Sequence, residues 1–298
     1  MIRSLFNSIP LGVRYVLFSA VGFSLMSSLV KLVSVHGIPV MEIIAARCLV
    51  SVVISYVDVK RKGISIWGNN KKWLVARGLI GTVSLMCVYY ALSTLPLAEA
   101  TILQYTHPIF TSLLALLFLG EHIRSATAIC IALCIIGLSF MVAPDLLSQD
   151  HSYLPLKSVF IALLGASGSS IAYVIVRKIS NSEDSSVIIF YFPIIALPVS
   201  VMLLVISGDF VLPNFQVLIQ LLLIGVMTQI GQIGLTKAMQ TLDAGVASAY
   251  SYIQVVFSVA LGWLLFKEIP ILTTWIGGSL IMAGALINLL GGRKKPSA

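Results

Sequence analysis

Two stretches of this sequence, Val187–Ile206 and Ala244–Phe266, each run for about 20 residues or more without a charged side chain. That is the length an α-helix needs to cross the hydrocarbon of a bilayer, and stretches of similar character recur along the chain. Ten candidate spans can be read, at roughly 13–35, 40–58, 73–94, 97–119, 126–143, 157–178, 186–206, 214–238, 244–266 and 271–290. The second is the least apolar, since it carries Glu42, Arg47 and Asp58. Over the 298 residues, 58% are apolar and only 10% charged, where an ordinary soluble domain has about 25% charged. This composition cannot cover a water-soluble fold, and it is too apolar for a disordered chain. The expected fold class is an all-α polytopic membrane protein with ten transmembrane helices. The first stretch, Val13–Val35, is longer than the apolar core of a signal peptide and is expected to remain as the first span.

The formal charge of +8 reads as a signal of orientation rather than of nucleic-acid binding. With both termini inside, the inner loops and tails hold Arg3, Arg14, Lys60, Arg61, Lys62, Lys71, Lys72, Arg77, Arg124, Arg177, Lys178, Lys237, Arg293, Lys294 and Lys295. Only Lys31, Lys157 and Lys267 fall outside, and Arg47 lies within a span. Cytoplasmic loops carry such an excess of Lys and Arg, so both termini are expected in the cytoplasm and the protein in a bacterial inner (plasma) membrane. The expected partners are a small-molecule substrate and the lipid bilayer, without nucleic acid; a homodimer is left open. Cys48, Cys87, Cys130 and Cys134 all fall inside spans, where they read as small core residues. No cofactor or metal site is expected.

Sliding the sequence by 147 positions aligns residues 91–121 with 238–268 without a gap. The identical pairs include Thr94 with Thr241, Tyr105 with Tyr252, Phe110 with Phe257 and Glu121 with Glu268. An offset of 146 pairs Gly22 with Gly168, Ser24 with Ser170 and Lys31 with Arg177. Matched Thr, Tyr, Glu and Gly in register are hard to attribute to composition. Two halves of five spans follow, residues 1–145 and 157–298, joined by the polar stretch 146–156. Five is odd, so the second half starts from the opposite side of the membrane. Inverted repeats of this kind characterise secondary transporters, whose site lies between the halves near the bilayer midplane.

The residues also resemble a known family. Arg77-Gly78, Tyr89-Tyr90-Ala91-Leu92, Leu95-Pro96-Leu97-Ala98-Glu99-Ala100-Thr101 and Leu119-Gly120-Glu121 look like the EamA family of the drug/metabolite transporter superfamily. The second half repeats the pattern more loosely in Lys237-Ala238-Met239, Leu242-Asp243-Ala244-Gly245 and Lys267-Glu268. The resemblance implies one such unit per half, ten helices, cytoplasmic termini and a central cavity lined mainly by spans 1, 3, 4, 6, 8 and 9. It names no substrate.

Helical spacing gives a separate route to that cavity. In the fourth span Glu99, Gln104, Thr106, His107 and Thr111 fall within an arc of about 160°. In the ninth, Tyr250, Ser251, Gln254 and Ser258 share a face, and the eighth adds Thr228, Gln229, Gln232 and Thr236. The third supplies Tyr89 and Ser93, while the first and sixth carry serine-rich faces that include Ser24, Ser27, Ser170 and Tyr173. Single serines in spans commonly just bond a neighbouring helix. Long polar groups in a bilayer usually face a wet cavity or a partner. The candidate substrate-binding residues are therefore Tyr89, Gln104, His107, Gln229, Gln232, Tyr250 and Gln254. Lys31, Glu42, Arg47 and Glu99 are candidates for a charge relay or anchor. Arg47 lies roughly 12 Å below the outer end of its span, too deep to snorkel, and Glu42 and Glu99 are its candidate partners.

No His-Glu-x-x-His, P-loop or Gly-x-Ser-x-Gly motif is present, so an enzyme is not expected. The reading is a secondary transporter that moves a small polar or amphipathic metabolite, an amino acid or an S-adenosylmethionine-like solute, by alternating access. The alternative is a non-transporting structural or receptor-like membrane protein, with an integral-membrane enzyme ranked behind it.

Overall fold

The structure, a computed structural model, describes residues 10–107, 109–111, 113–114, 125–126, 128–129, 132–133, 135–137, 139–140, 155–242, 247, 251 and 253–291. Among these residues the regular structure is entirely helical. The helices are α1 (Leu11–Val35), α2 (Val40–Arg61), α3 (Lys71–Thr94), α4 (Leu97–Gln104), α5 (Leu156–Ile179), α6 (Ser185–Ser207), α7 (Phe215–Thr241), α8 (Ile253–Phe266) and α9 (Leu272–Gly291). Six of them, α1, α2, α3, α5, α6 and α7, are long and apolar enough to cross a membrane. Eight residues of the fifth candidate span, 126–143, lie outside the described residues.

Local chemistry sets the helix ends. Pro10, Pro39, Pro96 and Pro155 stand immediately before α1, α2, α4 and α5. A proline costs nothing there, because the first N–H groups of a helix have no intrahelical partner. Side chains cap two others: Asp184 accepts from the Ser186 N–H at 2.8 Å to start α6, and Asn214 from the Val217 N–H at 2.9 Å to start α7. Gly208, at φ 70°, ends α6 in the left-handed conformation that glycine adopts without strain.

Contacts between helix ends show that α1, α3, α6 and α8 run one way and α2, α4, α5 and α7 the other. At one end Glu42 Oε2 accepts from the Val211 N–H at 3.1 Å, and Glu268 Oε2 accepts from the Leu97 N–H at 3.0 Å, capping α4. Lys31 pairs with Glu268 and donates to the Leu95 carbonyl at 3.1 Å. At the other end Lys62 reaches Asp184 at 2.8 Å, the Asn69 N–H donates to Glu183 at 2.7 Å, and Arg177 donates to the Met239 carbonyl at 3.2 Å. Partial burial pushes the Asp184 carboxyl up, but the hydrogen bonds from Lys62 and Ser186 outweigh it and hold the group below the usual carboxylate range.

All four tryptophans are exposed and lie near the two ends: Trp67 and Trp73 beside the Lys62 end, Trp263 and Trp275 beside the Glu268 end. Paired aromatic belts of this kind sit at the two headgroup layers of a bilayer. Large apolar side chains such as Phe160, Val205 and Leu222 are exposed between them, a surface that lipid can cover and water cannot. The protein is an integral membrane protein.

The tightest packing is between α1 and α7 and between α3 and α5. At the first crossing a Cβ on Gly22 would lie 2.8 Å from the Gly231 N, and one on Gly234 2.6 Å from the Tyr15 carbonyl oxygen. At the second, a Cβ on Gly168 would lie 2.9 Å from Ser84 Cβ. Small residues allow backbones to approach this closely, which is how helices associate in lipid.

Candidate functional site

A cavity of about 130 Å³ lies where α1 to α8 converge. All walls but that from α6 carry polar groups. Serines 19 and 27 come from α1, Arg47 from α2, and Arg77, Ser84 and Tyr89 from α3. Around the end of α4 are Gln104, Tyr105 and His107; α5 adds Ser169 and Tyr173, α6 Phe192, α7 Gln232, and the ninth span Ser251 and Gln254. These walls include all six spans implied by the family resemblance, with two additions, Arg47 and Phe192.

Several of these groups hold one another in place. Gln104 Nε2 donates to Ser169 Oγ at 2.9 Å, and Ser169 and Ser84 hydroxyls lie 2.7 Å apart. Tyr105 Oη donates to Gln254 Oε1 at 2.6 Å. The His107 ring stacks edge-on against Tyr173 with centroids 5.0 Å apart, and tilted against Tyr105 at 5.3 Å. Tyr89, fully buried, accepts from Arg47 Nη1 at 3.2 Å. Other polar atoms have no protein partner although they are buried, among them Gln104 Oε1, His107 Nδ1, Arg47 Nε, and Arg77 Nε and Nη1. Buried polar atoms are normally satisfied, so these ask for water or a bound solute.

Of the residues singled out from sequence, Tyr89, Gln104, His107, Gln232, Gln254 and Arg47 meet in this cavity. Gln229 does not: its Nε2 donates to Ser55 Oγ at 2.8 Å, tying α7 to α2. Tyr250 lies outside the described residues. Lys31 is engaged with Glu268 at one end of the bundle, and Glu42 with the Val211 N–H. Glu99 accepts from Thr274 Oγ1 at 3.0 Å, towards α9. Neither Glu42 nor Glu99 pairs with Arg47, which instead meets Tyr89 and the faces of Tyr89 and Phe192. The arc drawn for the fourth span fails because the helix does not continue as one piece. α4 ends at Gln104 and turns through Tyr105 and Thr106, with the Thr106 N–H bonding the Leu103 carbonyl. The residue at 108 is proline, which has no N–H to bond the Gln104 carbonyl.

Arg77, assigned from sequence to a cytoplasmic loop, is 4% exposed and lines the cavity. Its guanidinium lies 4.6 Å from the Phe192 centroid and 3.5 Å from Gln232 Oε1. Its position, roughly 9 Å into α3 at 1.5 Å per residue, was the available signal. Tyr105, Ser169 and Phe192 were also missed. Tyr105 had appeared only as half of a repeat pair with Tyr252, and Phe192 had no polar feature to mark it.

Comparisons with known proteins identify the family. The profile of the EamA-like transporter family matches twice, over residues 10–143 and 156–290. The chain is 32% identical over 276 residues to the pseudopaline exporter CntI of Pseudomonas aeruginosa, covering 92% of this chain and 94% of that protein. It is 32% identical over 289 residues to human solute carrier family 35 member G1, covering 93% of this chain and 78% of the relative. The riboflavin transporter of Vibrio cholerae is 24% identical over 277 residues. A protein of known crystal structure shares the fold, with a TM-score of 0.68 at 19% identity over 92% of this chain and 96% of its own. The chain therefore belongs to the EamA-like transporter family, within the drug/metabolite transporter superfamily, and is a membrane transporter.

Proposed function

We propose that this transporter moves a small polar or amphipathic metabolite by alternating access, with two five-helix halves rocking about the central cavity. One observation carries the reading: a space at the meeting of α1–α4 with α5–α8 whose walls hold buried polar side chains, several of their polar atoms left without a protein partner. The two family matches support a division into residues 1–145 and 157–298 with 146–156 between them. Opposite directions of α1 and α5, and the paired packing of α1 on α7 and α5 on α3, support an inverted ten-helix repeat. The Lys62 end, with Lys60, Arg61, Lys71, Lys72, Arg177, Lys178 and Lys237 nearby, is read as cytoplasmic in a bacterial inner membrane.

Tyr89, Gln104, His107, Gln232 and Gln254 are read as solute contacts, with Tyr250 added from the repeat, and Gln229 as support behind them. Lys31, Glu42 and Glu99 are read as packing and capping groups. The relatives named as a pseudopaline exporter and a riboflavin transporter support a small organic solute. Of the two classes raised by the sequence, an amino acid suits the cavity better than a net cation. No acid stands among its described lining residues.

Counterflow in proteoliposomes tests this reading, with a panel of amino acids, S-adenosylmethionine, nucleotides and organic anions. At least one is expected to exchange saturably across the membrane. Folded protein that exchanges none of them would favour the structural or receptor-like alternative.

A further inference from the structure

Arg47 is 2% exposed and Arg77 4%, and both line the same cavity. Their guanidiniums lie over one ring, 5.2 and 4.6 Å from the Phe192 centroid, so they are no more than about 10 Å apart. Two buried positive charges this close repel, and each carries a heavy desolvation cost unless an anion meets it. The protein supplies none at this site, since the described lining residues include no Asp or Glu. Arg47 gives one hydrogen bond to Tyr89, and Arg77 makes one long contact with Gln232. Arg47 Nε and Arg77 Nε and Nη1 have no partner. Gly81 makes room for this arrangement: a Cβ there would lie 3.0 Å from Arg77 Nη1 and 3.1 Å from the Phe192 ring.

We infer that Arg47 and Arg77 form an anion site within the transport cavity, and that the solute is an organic acid whose carboxylate docks on their unpaired N–H groups. Guanidinium is the right group for this task, because its planar fork matches the two oxygens of a carboxylate. Phe192 lies against both guanidiniums, 5.2 and 4.6 Å from its ring centroid, and takes none of their N–H groups. The neutral donors and acceptors of Gln104, Gln232 and Gln254 suit the rest of such a solute. This inference rests on the proposed transport function and narrows its substrate class.

Thermal unfolding of the purified full chain in detergent provides the test. The probes are succinate and glutarate, their diamide counterparts succinamide and glutaramide, and inorganic phosphate. At least one of the two acids is expected to raise the melting temperature saturably and more strongly than its amide. Arg77→Gln and Arg47→Gln should each weaken that effect at least tenfold. Arg77→Lys, which keeps the charge and loses the fork, should weaken it too while leaving the unliganded melting temperature near wild type. It serves where the glutamine variants do not fold. Three results would each overturn the site: amides acting as strongly as acids, no stabilisation by either acid, or equal stabilisation in wild type and the arginine variants. Phosphate binding more tightly than both carboxylates would overturn the assigned class. The two readings fail separately: counterflow of an uncharged or cationic solute alone removes the anion site and leaves transport standing, whereas no counterflow of any solute removes transport.

Discussion

Gly22→Ala lowers the melting temperature of the purified protein sharply, whereas Gly262→Ala leaves it near wild type. Both positions lie inside helices, so the intrinsic gain from alanine is similar in the two. What differs is the space. A Cβ on Gly22 would come 2.8 Å from the Gly231 N and 2.9 Å from the Met227 carbonyl oxygen, both backbone atoms that cannot rotate away. On Gly262 the nearest atom is Leu97 Cβ at 3.7 Å, an ordinary contact. Forcing apart a packed interface costs about 1–3 kcal/mol, and a backbone-to-backbone clash belongs at the upper end. Because α1 and α7 form the most extensive interface of the described helices, the loss should also appear as a smaller monodisperse fraction on size-exclusion chromatography. Equal melting temperatures for the two variants would mean that α1 and α7 do not cross this closely.

Gln104→Leu and Gln254→Leu cut solute flux about tenfold each when normalised to folded protein, while Gln229→Leu changes the flux much less than it changes stability. One hydrogen bond to a solute is worth about 0.5–1.5 kcal/mol, and a stranded buried partner adds to the loss. Gln104 lines the cavity and its buried Oε1 has no protein partner, so a solute donor is its natural mate. Gln254 accepts from Tyr105 Oη at 2.6 Å, and leucine there would remove that bond from the cavity wall. Gln229 bonds Ser55 on α2 and does not line the cavity. Flux measurements with the same three variants therefore separate residues on the solute's path from residues behind it. A larger flux defect in Gln229→Leu than in the other two would move the path away from the cavity.

The membrane class and most of the helices were readable from apolar length alone, because a span must satisfy its own backbone and present an apolar surface to lipid. Even α2 forms a single helix from Val40 to Arg61 despite Glu42, Arg47 and Asp58. Each of those charges has a partner in the fold: Glu42 the Val211 N–H, Asp58 the Ser186 hydroxyl, Arg47 a tyrosine and two rings. Such partners come from distant segments, and hydropathy carries no trace of them. The same limit explains Arg77, which resembles a loop charge when counted by distance from Lys71 and Lys72, yet ends buried over Phe192 from α6. On the continuous α7, Gln232 reaches the cavity while Gln229, from the same stripe, bonds Ser55 of α2. Glu99 belongs to a helix that ends before His107, so one helical wheel does not describe both. Lys31 and Glu268 lie in the two separate family matches, 10–143 and 156–290. Their pairing across α1 and the end of α8 could be suspected only from the symmetric placement of the two glutamates, 121 and 268.

Access to the cavity from each side of the membrane tests the central claim most directly. Ser27 lines the cavity from α1, and Ser27→Cys can be placed in a chain whose cysteines at 48, 87, 130 and 134 are replaced. In vesicles of known orientation, a membrane-impermeant thiol reagent is applied from one side and then from the other. Alternating access predicts that Cys at position 27 is labelled from both sides, and that a transported solute shifts the balance between them. Labelling from one side only, unchanged by every solute that undergoes counterflow, would contradict a cavity that opens in turn to each side.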